Sequence, residues 1–351
     1  MTSPHSTGTT PTSANPPASF DEIRALIATL PGPDEAARAA ARAREPTLTK
    51  PPGALGRLED IAEWLAAWQG RHPPAVEHPR VAVFAGNHGV ASLGVSAYPA
   101  AVTAQMVKNF VAGGAAINQI CRTVDADLRV YEMALDEPTA DFTTAEALGE
   151  AACVRALAYG MMAVEPGIDL LCLGEMGIAN TTSASALASA LFGGDPADWV
   201  GPGTGVEGAQ LARKREVVAA GLARHRDSIA DPLRALACLG GHELAGIAGA
   251  VLAARLARVP VLLDGFTTTV AAAVLEALSP GLLDHCLVGH LSKEPAHARV
   301  CRRIGKTPLL DLGMRLGEGT GAALAVGLAR AAVACHGGMA TFAEAGVAGK
   351  E

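Results

Sequence analysis

The chain has 351 residues, half of them hydrophobic, 18% charged and 4% aromatic, with a formal net charge of −7. That length fits one large domain with a satellite, or two modest domains, with a core packed mainly by Ala, Leu and Val, as in helices covering a sheet buried on both faces. The negative charge, and the absence of any stretch interleaving Lys and Arg with aromatics, exclude a nucleic-acid surface.

In chain order, Met1–Ser19 is rich in Ser, Thr and Pro without an apolar stretch, and reads as a disordered leader rather than a signal peptide. From Phe20 to about Arg44 the pattern is helical, and Pro46 stops it. Pro51-Pro52-Gly53 then leads into an amphipathic helix with Leu55, Leu58, Ile61, Ala62 and Leu65 on one side.

After Pro73-Pro74 a unit of strand, polar loop and helix recurs. Val81–Val90 is the first apolar run ending in such a loop. Ile168–Gly174 feeds an Ala-rich helix, as do Val259–Gly265, His285–His290 and Pro308–Met314. Short apolar runs alternating with Ala-rich helices predict parallel βαβ units, hence an α/β fold with an open parallel sheet of Rossmann-like type. The most apolar stretch, Leu244–Gly265, is broken by Arg255, Arg258 and Pro260, so it reads as a helix and a strand, not a membrane span. Four segments are expected: the leader 1–19, helical parts of a smaller domain at 20–72, the α/β domain at 73–321, and a C-terminal helix at 322–351 that returns to the smaller domain.

The seven cysteines are scattered, with no C-x-x-C pair, and predict a reducing, cytoplasmic setting. No spacing of His, Cys or carboxylates suits a metal: His290 and His297 are separated by Pro295, and there is no H-E-x-x-H. Neither a G-x-G-x-x-G after a strand nor a P-loop is present.

In parallel sheets ligands gather beyond the carboxyl ends of the strands. The unusual polar residues fall in those loops: Asn87, His88, Glu175, Asn180, Asp264, His290, Ser292, Glu294 and Glu318. Gly174–Leu187 places Gly177, Asn180 and Thr181 where a strand turns into a helix. That suits a phosphate on the helix N-terminus, or equally a plain helix cap. Gly201–Lys214 is glycine-rich, and by itself reads as a surface turn in which Lys214 offers a point charge. Asp264 reads as either a ribose ligand or a turn residue. Glu318, between Gly317 and Gly319, is either a carboxylate complementing a helix dipole or one left open to a ligand. Ser96, Tyr98 and Gln105, with Met106 and Phe110, combine apolar walls with a few hydrogen-bonding groups, which suits a flat heteroaromatic ligand, although at helical spacing Met106 and Phe110 are more often ordinary core.

Together, Lys50–Glu59, Ala85–Asn118, Gly174–Leu187, Gly201–Val206, Leu263–Ala272, Gly289–His297 and Met314–Ala323 resemble the nicotinate-nucleotide–dimethylbenzimidazole phosphoribosyltransferases. The resemblance runs in order over most of the chain. It implies an α/β domain with a smaller helical one, a cytoplasmic homodimer, small-molecule substrates, and neither metal nor cofactor. It also implies that Glu318 is the general base and that Glu175 assists at the reacting ribose. Gly177, Ile178, Asn180, Thr181, Gly203, Thr204, Gly205, Lys214, Asp264 and Ser292 would hold the nucleotide, and Ser96, Tyr98, Gln105, Met106 and Leu316 the base. Two positions depart from the family pattern. Ala179 replaces a glycine, which is tolerable at negative φ. Pro202 replaces an arginine and so removes a charge and an N–H. A nucleotide-dependent oxidoreductase and a non-catalytic nucleotide-binding protein are the competing readings.

Overall fold

The computed structural model describes residues 16–349. Most of the expected leader therefore lies outside the described residues. Its last residue, Ser19, caps the helix Phe20–Ile27, its Oγ accepting from the Glu22 N–H at 3.2 Å.

Five strands form one sheet: β1 (Pro79–Ala85), β2 (Asp127–Glu132), β3 (Leu170–Met176), β4 (Val261–Leu263) and β5 (Cys286–Val288). Their order is β2-β1-β3-β4-β5 and every pairing is parallel. The inner strands are apolar on both faces, as burial under two helical layers requires. Val81, Val83, Leu170, Cys172 and Leu262 turn to one layer. Ala82, Phe84, Leu171, Leu173, Val261 and Leu263 turn to the other.

Helices Glu150–Met161, Asn180–Phe192, His242–Leu256 and Phe266–Leu278 cover the second face, and Arg57–Gln69, Ala116–Thr123 and Thr320–Gly338 the first. Glu150–Met161 and His242–Leu256 approach so closely that a Cβ on Gly160 would lie 1.9 Å from the Gly246 carbonyl oxygen. The helix Thr320–Gly338 has a mean hydropathy of 1.2 and is long enough to span a bilayer. Its Ala322, Ala325, Val326 and Ala329 are instead buried on the sheet.

Three local readings are corrected. The helical pattern at 20–44 is two helices, Phe20–Ile27 and Glu35–Arg44, because Pro31 and Pro33 intervene. The run Pro308–Met314 is not a strand: it is held to β5 and the loop after it by single bonds, Leu309 N to Val288 O and Leu310 N to Gly289 O, and forms only an isolated bridge at Leu310. Conversely, β2 is a strand that its composition hides, since it lies at the sheet edge with exposed Asp127, Arg129 and Glu132.

The helix Thr320–Gly338 crosses the boundary expected at 321/322, and its first turns belong to the sheet layer. Its far end meets the N-terminal helices: Arg44 donates to the carbonyls of His336, Gly337 and Met339. Phe20 and Ile23 join the core on the opposite face of the sheet.

Candidate active site

Because all strands run in parallel, the segments after their carboxyl ends emerge at one edge. A cavity of about 530 Å³ opens there, lined by residues 175–178, 180 and 181 after β3, 265–267 after β4, 290, 292 and 294 after β5, and 314–317, with Tyr98, Gly203 and Thr204. Of the expected site residues, Glu175, Gly177, Ile178, Asn180, Thr181, Gly203, Thr204, Ser292, Tyr98 and Leu316 line it.

Glu175 is the next-to-last residue of β3, and its carboxyl accepts from the Asn180 side-chain amide. Burial in the cavity wall is the largest influence on its carboxyl and pushes it up to about 8. The Asn180 hydrogen bond opposes this shift, while Glu243, Asp264 and Glu318 add to it. Such a shift favours the neutral carboxyl of Glu175 in the empty site.

Glu318 lies beside it. The Glu318 N–H donates to the Glu175 carbonyl at 3.1 Å. Gly317, Glu318 and Gly319 have φ of 83°, 66° and 83°, so a glutamate holds a left-handed conformation between two glycines. For a non-glycine residue this costs about 1–2 kcal/mol, a strain typical of functional loops. The loop reaches β3 because Gly174 has no side chain: a Cβ there would lie 2.2 Å from the Gly319 nitrogen. Glu318 does not line the main cavity. Its carboxyl is buried, and Oε2 has no hydrogen-bond partner. Burial raises its pKa first, with Asp264 adding and the Ile117 N–H opposing. An unpartnered buried carboxylate is an acceptor available to a ligand proton.

Asp264 does not line the cavity. Its carboxylate accepts from the N–H groups of Gly319 (3.0 Å), Gly321 (2.7 Å) and Ala322 (3.1 Å), and so anchors the helix that follows Glu318. This satisfies donors that a helix start leaves free.

Lys214, from the helix Gly208–His225, is fully buried, and its Nζ lies 2.8 Å from Thr181 Oγ1 and 3.0 Å from Gly201 O. Burial pushes its pKa down to about 8, against Glu294. It supports the 177–181 and 201–205 loops from behind. Pro202 brings no charge to this loop, while Arg315, from another part of the cavity wall, donates Nη1 to Gly203 O at 3.1 Å. Gly205 is not on the cavity wall; its N–H closes the turn onto Pro202 O. Ala179 has φ of 74°, so the condition under which its methyl group is tolerable, negative φ, is not met.

Among the residues expected at the base, Ser96 Oγ bonds Thr204 Oγ1 at 3.0 Å, linking that loop to the 201–205 loop. Gln105 is exposed on the helix Val102–Ala112, and Met106 packs against the core cluster around Val81. Thr103 Oγ1, which accepts from the Ile178 N–H at 3.1 Å, holds that helix to the cavity loop.

His290, Glu294, Phe266, Thr267 and Arg315 also line the cavity and are not among the expected contacts. His290 and Glu294 are legible as polar residues in strand-end loops, whereas nothing in the sequence marks the other three. His290 is 1% exposed, and neither ring nitrogen has a hydrogen-bond partner.

A second cavity, of about 580 Å³, lies at the opposite edge around Arg80 and Asp127. Its buried arginine is already paired with Asp127 at 3.1 Å and Glu165 at 2.9 Å. Among the described residues no group of three His, Cys, Asp or Glu is arranged to hold a metal ion.

The same fold and loops recur in known proteins. The model of a phosphoribosyltransferase family matches residues 30–347. The chain belongs to that family. It is 60% identical over 332 residues to the nicotinate-nucleotide–dimethylbenzimidazole phosphoribosyltransferase of Sinorhizobium fredii, covering 95% of this chain and 98% of that one. It is 61% identical to the enzyme of the same name from Sinorhizobium medicae, covering 94% and 98%. The crystal structure of CobT from Thermus thermophilus superposes with a TM-score of 0.85 at 45% identity, covering 90% of this chain and all of that one. A phosphoribosyltransferase moves a charged sugar phosphate from a leaving group to an acceptor. Glycine-bearing loops and the raised carboxyls of Glu175 and Glu294 line the cavity, with Lys214 and Glu318 buried beside it.

Proposed function

We propose that this phosphoribosyltransferase transfers the phosphoribosyl group of nicotinate mononucleotide to 5,6-dimethylbenzimidazole or a related base, giving α-ribazole 5′-phosphate and nicotinate. The observation that carries this reading is the juxtaposition of Glu175, in the wall of the cavity, and Glu318, buried beside it, through one backbone hydrogen bond. The names of the relatives support the choice of substrates and disfavour the oxidoreductase reading.

Nicotinate in the mononucleotide is a pyridinium, so breaking its bond to C1′ neutralises a cation and needs no acid. Positive charge then develops on the ribose, and Glu175 at the cavity wall stabilises it in the ionised form, which a bound cation favours by drawing its pKa down and releasing its proton to solvent. The incoming base attacks C1′ through one ring nitrogen, opposite the leaving group, which inverts the centre to the α-riboside. Its other nitrogen carries a proton that must leave as the new bond forms, and Glu318, with a free carboxylate oxygen and a raised pKa, takes it. Gly177, Ile178, Asn180, Thr181, Gly203, Thr204 and Ser292 hold the nucleotide, with Lys214 and Gly205 behind them. Tyr98 and Leu316 line the cavity where the base would sit, with Ser96 bonded to Thr204 and Gln105 and Met106 on the neighbouring helix. Asp264 acts as a positioning residue for the Glu318 loop.

The proposal includes a homodimer in the cytoplasm, and a smaller helical unit built from Glu35–Arg44, Arg57–Gln69 and the last turns of Thr320–Gly338.

The test is mass spectrometry of products formed from nicotinate mononucleotide and a panel of benzimidazoles, purines and phenols. Release of nicotinate with a base riboside phosphate is the expected result. Nucleotide hydrolysis without base transfer, or no turnover with any base, overturns the assignment.

A further inference from the structure

The loop that would bind the substrate phosphate is already occupied by an acid of this chain. The Gly203 N–H donates to Glu294 Oε1 at 2.6 Å. Glu294 is 6% exposed, lines the cavity, and its Oε2 is buried without a hydrogen-bond partner. It fits beneath the loop because position 201 is glycine: a Cβ there would lie 2.1 Å from Oε2 and 2.7 Å from Pro295 Cδ. The same packing keeps the side chain from swinging away unless the loop moves. The charged groups that face it are Lys214, whose Nζ bonds Gly201 O, and Arg315, which bonds Gly203 O. His290, Ser292 and Glu175 also line this cavity.

We propose that Glu294 is a built-in stand-in for the substrate phosphate, and that it takes up a proton when a phosphoryl dianion enters. This rests on the reading of 177–181 and 201–205 as the phosphate cradle. A dianion and a carboxylate that share Gly203 and Lys214 repel in a poorly solvated site, and the weaker acid is neutralised. The proton comes from solvent or from the monoanionic form of the phosphate. Protonated Glu294 changes from acceptor to donor and offers its O–H to a phosphate oxygen, while Gly203 N–H is released to the ligand. Burial already moves the Glu294 carboxyl upward, against Lys214, the Gly203 N–H and Arg315. In the empty site the carboxylate holds the loop in its binding shape, so Glu294 acts as a positioning residue.

The probe is sulfate, a dianion across the working pH range, so its own titration does not enter. Sulfate binding to wild type and Glu294→Gln is measured calorimetrically, in buffers of different ionisation enthalpy, at slightly acidic pH where Lys214 already carries its proton. Competition against nicotinate mononucleotide is followed in parallel. Wild type should take up nearly one proton more than the variant. The variant should bind sulfate about tenfold or more tightly at neutral pH, with the gap closing as pH falls. Equal affinity and equal proton uptake in the two proteins overturn the proposal. Absence of uptake by wild type overturns it without reference to the variant. Sulfate that binds wild type but does not compete with the mononucleotide overturns the placement of the cradle, and this inference with it, while leaving base transfer to be judged from its products.

Discussion

The backbone carbonyl of Glu175 accepts the N–H of Glu318 at 3.1 Å, which joins two acids that stand 143 positions apart in the chain. β3 fixes the first, and the anchored start of the last long helix fixes the second.

If Glu318 is the proton acceptor, Glu318→Gln keeps the shape of the loop and removes the chemistry. Turnover should fall about 10²–10⁴-fold, with little change in mononucleotide affinity, because the nucleotide loops lie elsewhere on the cavity. A helix-dipole carboxylate alone predicts near-normal kcat and a stability loss of about 0.3–1 kcal/mol. Measuring kcat, nucleotide affinity and Tm on this variant separates the two. A folded variant with near-normal kcat would move the base to Glu175.

Glu175 makes the empty protein pH-sensitive. Its folded carboxyl is pushed up to about 8, whereas a free carboxyl titrates about 4.3. The folded state therefore holds a proton that the unfolded chain has released. The resulting stability is fully present below the unfolded value and is lost as pH rises through about 8. Wild type should lose more Tm than Glu175→Gln across that window. Parallel Tm-against-pH curves for the two proteins would show that Glu175 titrates normally.

Ala179 at φ 74° stores strain at the start of the helix Asn180–Phe192. Ala179→Gly should stabilise the protein by about 1 kcal/mol, since glycine occupies this region without steric cost. Chemical denaturation reads the change directly. An unchanged or lower midpoint would mean that the greater freedom of glycine in the unfolded chain outweighs the strain.

Asp264→Asn removes one of the two acceptor oxygens that serve the N–H groups of Gly319, Gly321 and Ala322. The loss in stability should be at least about 1–3 kcal/mol, the cost of a buried donor left without a partner. Because Asp264 does not line the cavity, kcat should fall through displacement of Glu318 while KM for the nucleotide changes little. A large rise in that KM with normal kcat would instead make Asp264 a direct ribose ligand.

Sequence by itself determined the α/β class and most of the cavity's wall, for a physical reason. Parallel strands must be apolar on both faces, so any Glu, Asn or His beside such a run stands out as a strand-end loop residue. Glu175, Asn180, His290, Ser292 and Glu294 are legible in that way, whereas Glu318 follows a run that forms no strand and stands out only by its two flanking glycines. The edge strand β2 was not, because a half-exposed strand carries the polar residues of a loop. Only the tertiary structure decided which partners each acid has, since those lie far away in the chain. Asp264 is taken up by three backbone N–H groups, Glu294 by Gly203, and Glu318 keeps a free oxygen. The sign of φ at Ala179 and the arginine supplied at position 315 likewise follow from how the loops are packed, which no local pattern encodes.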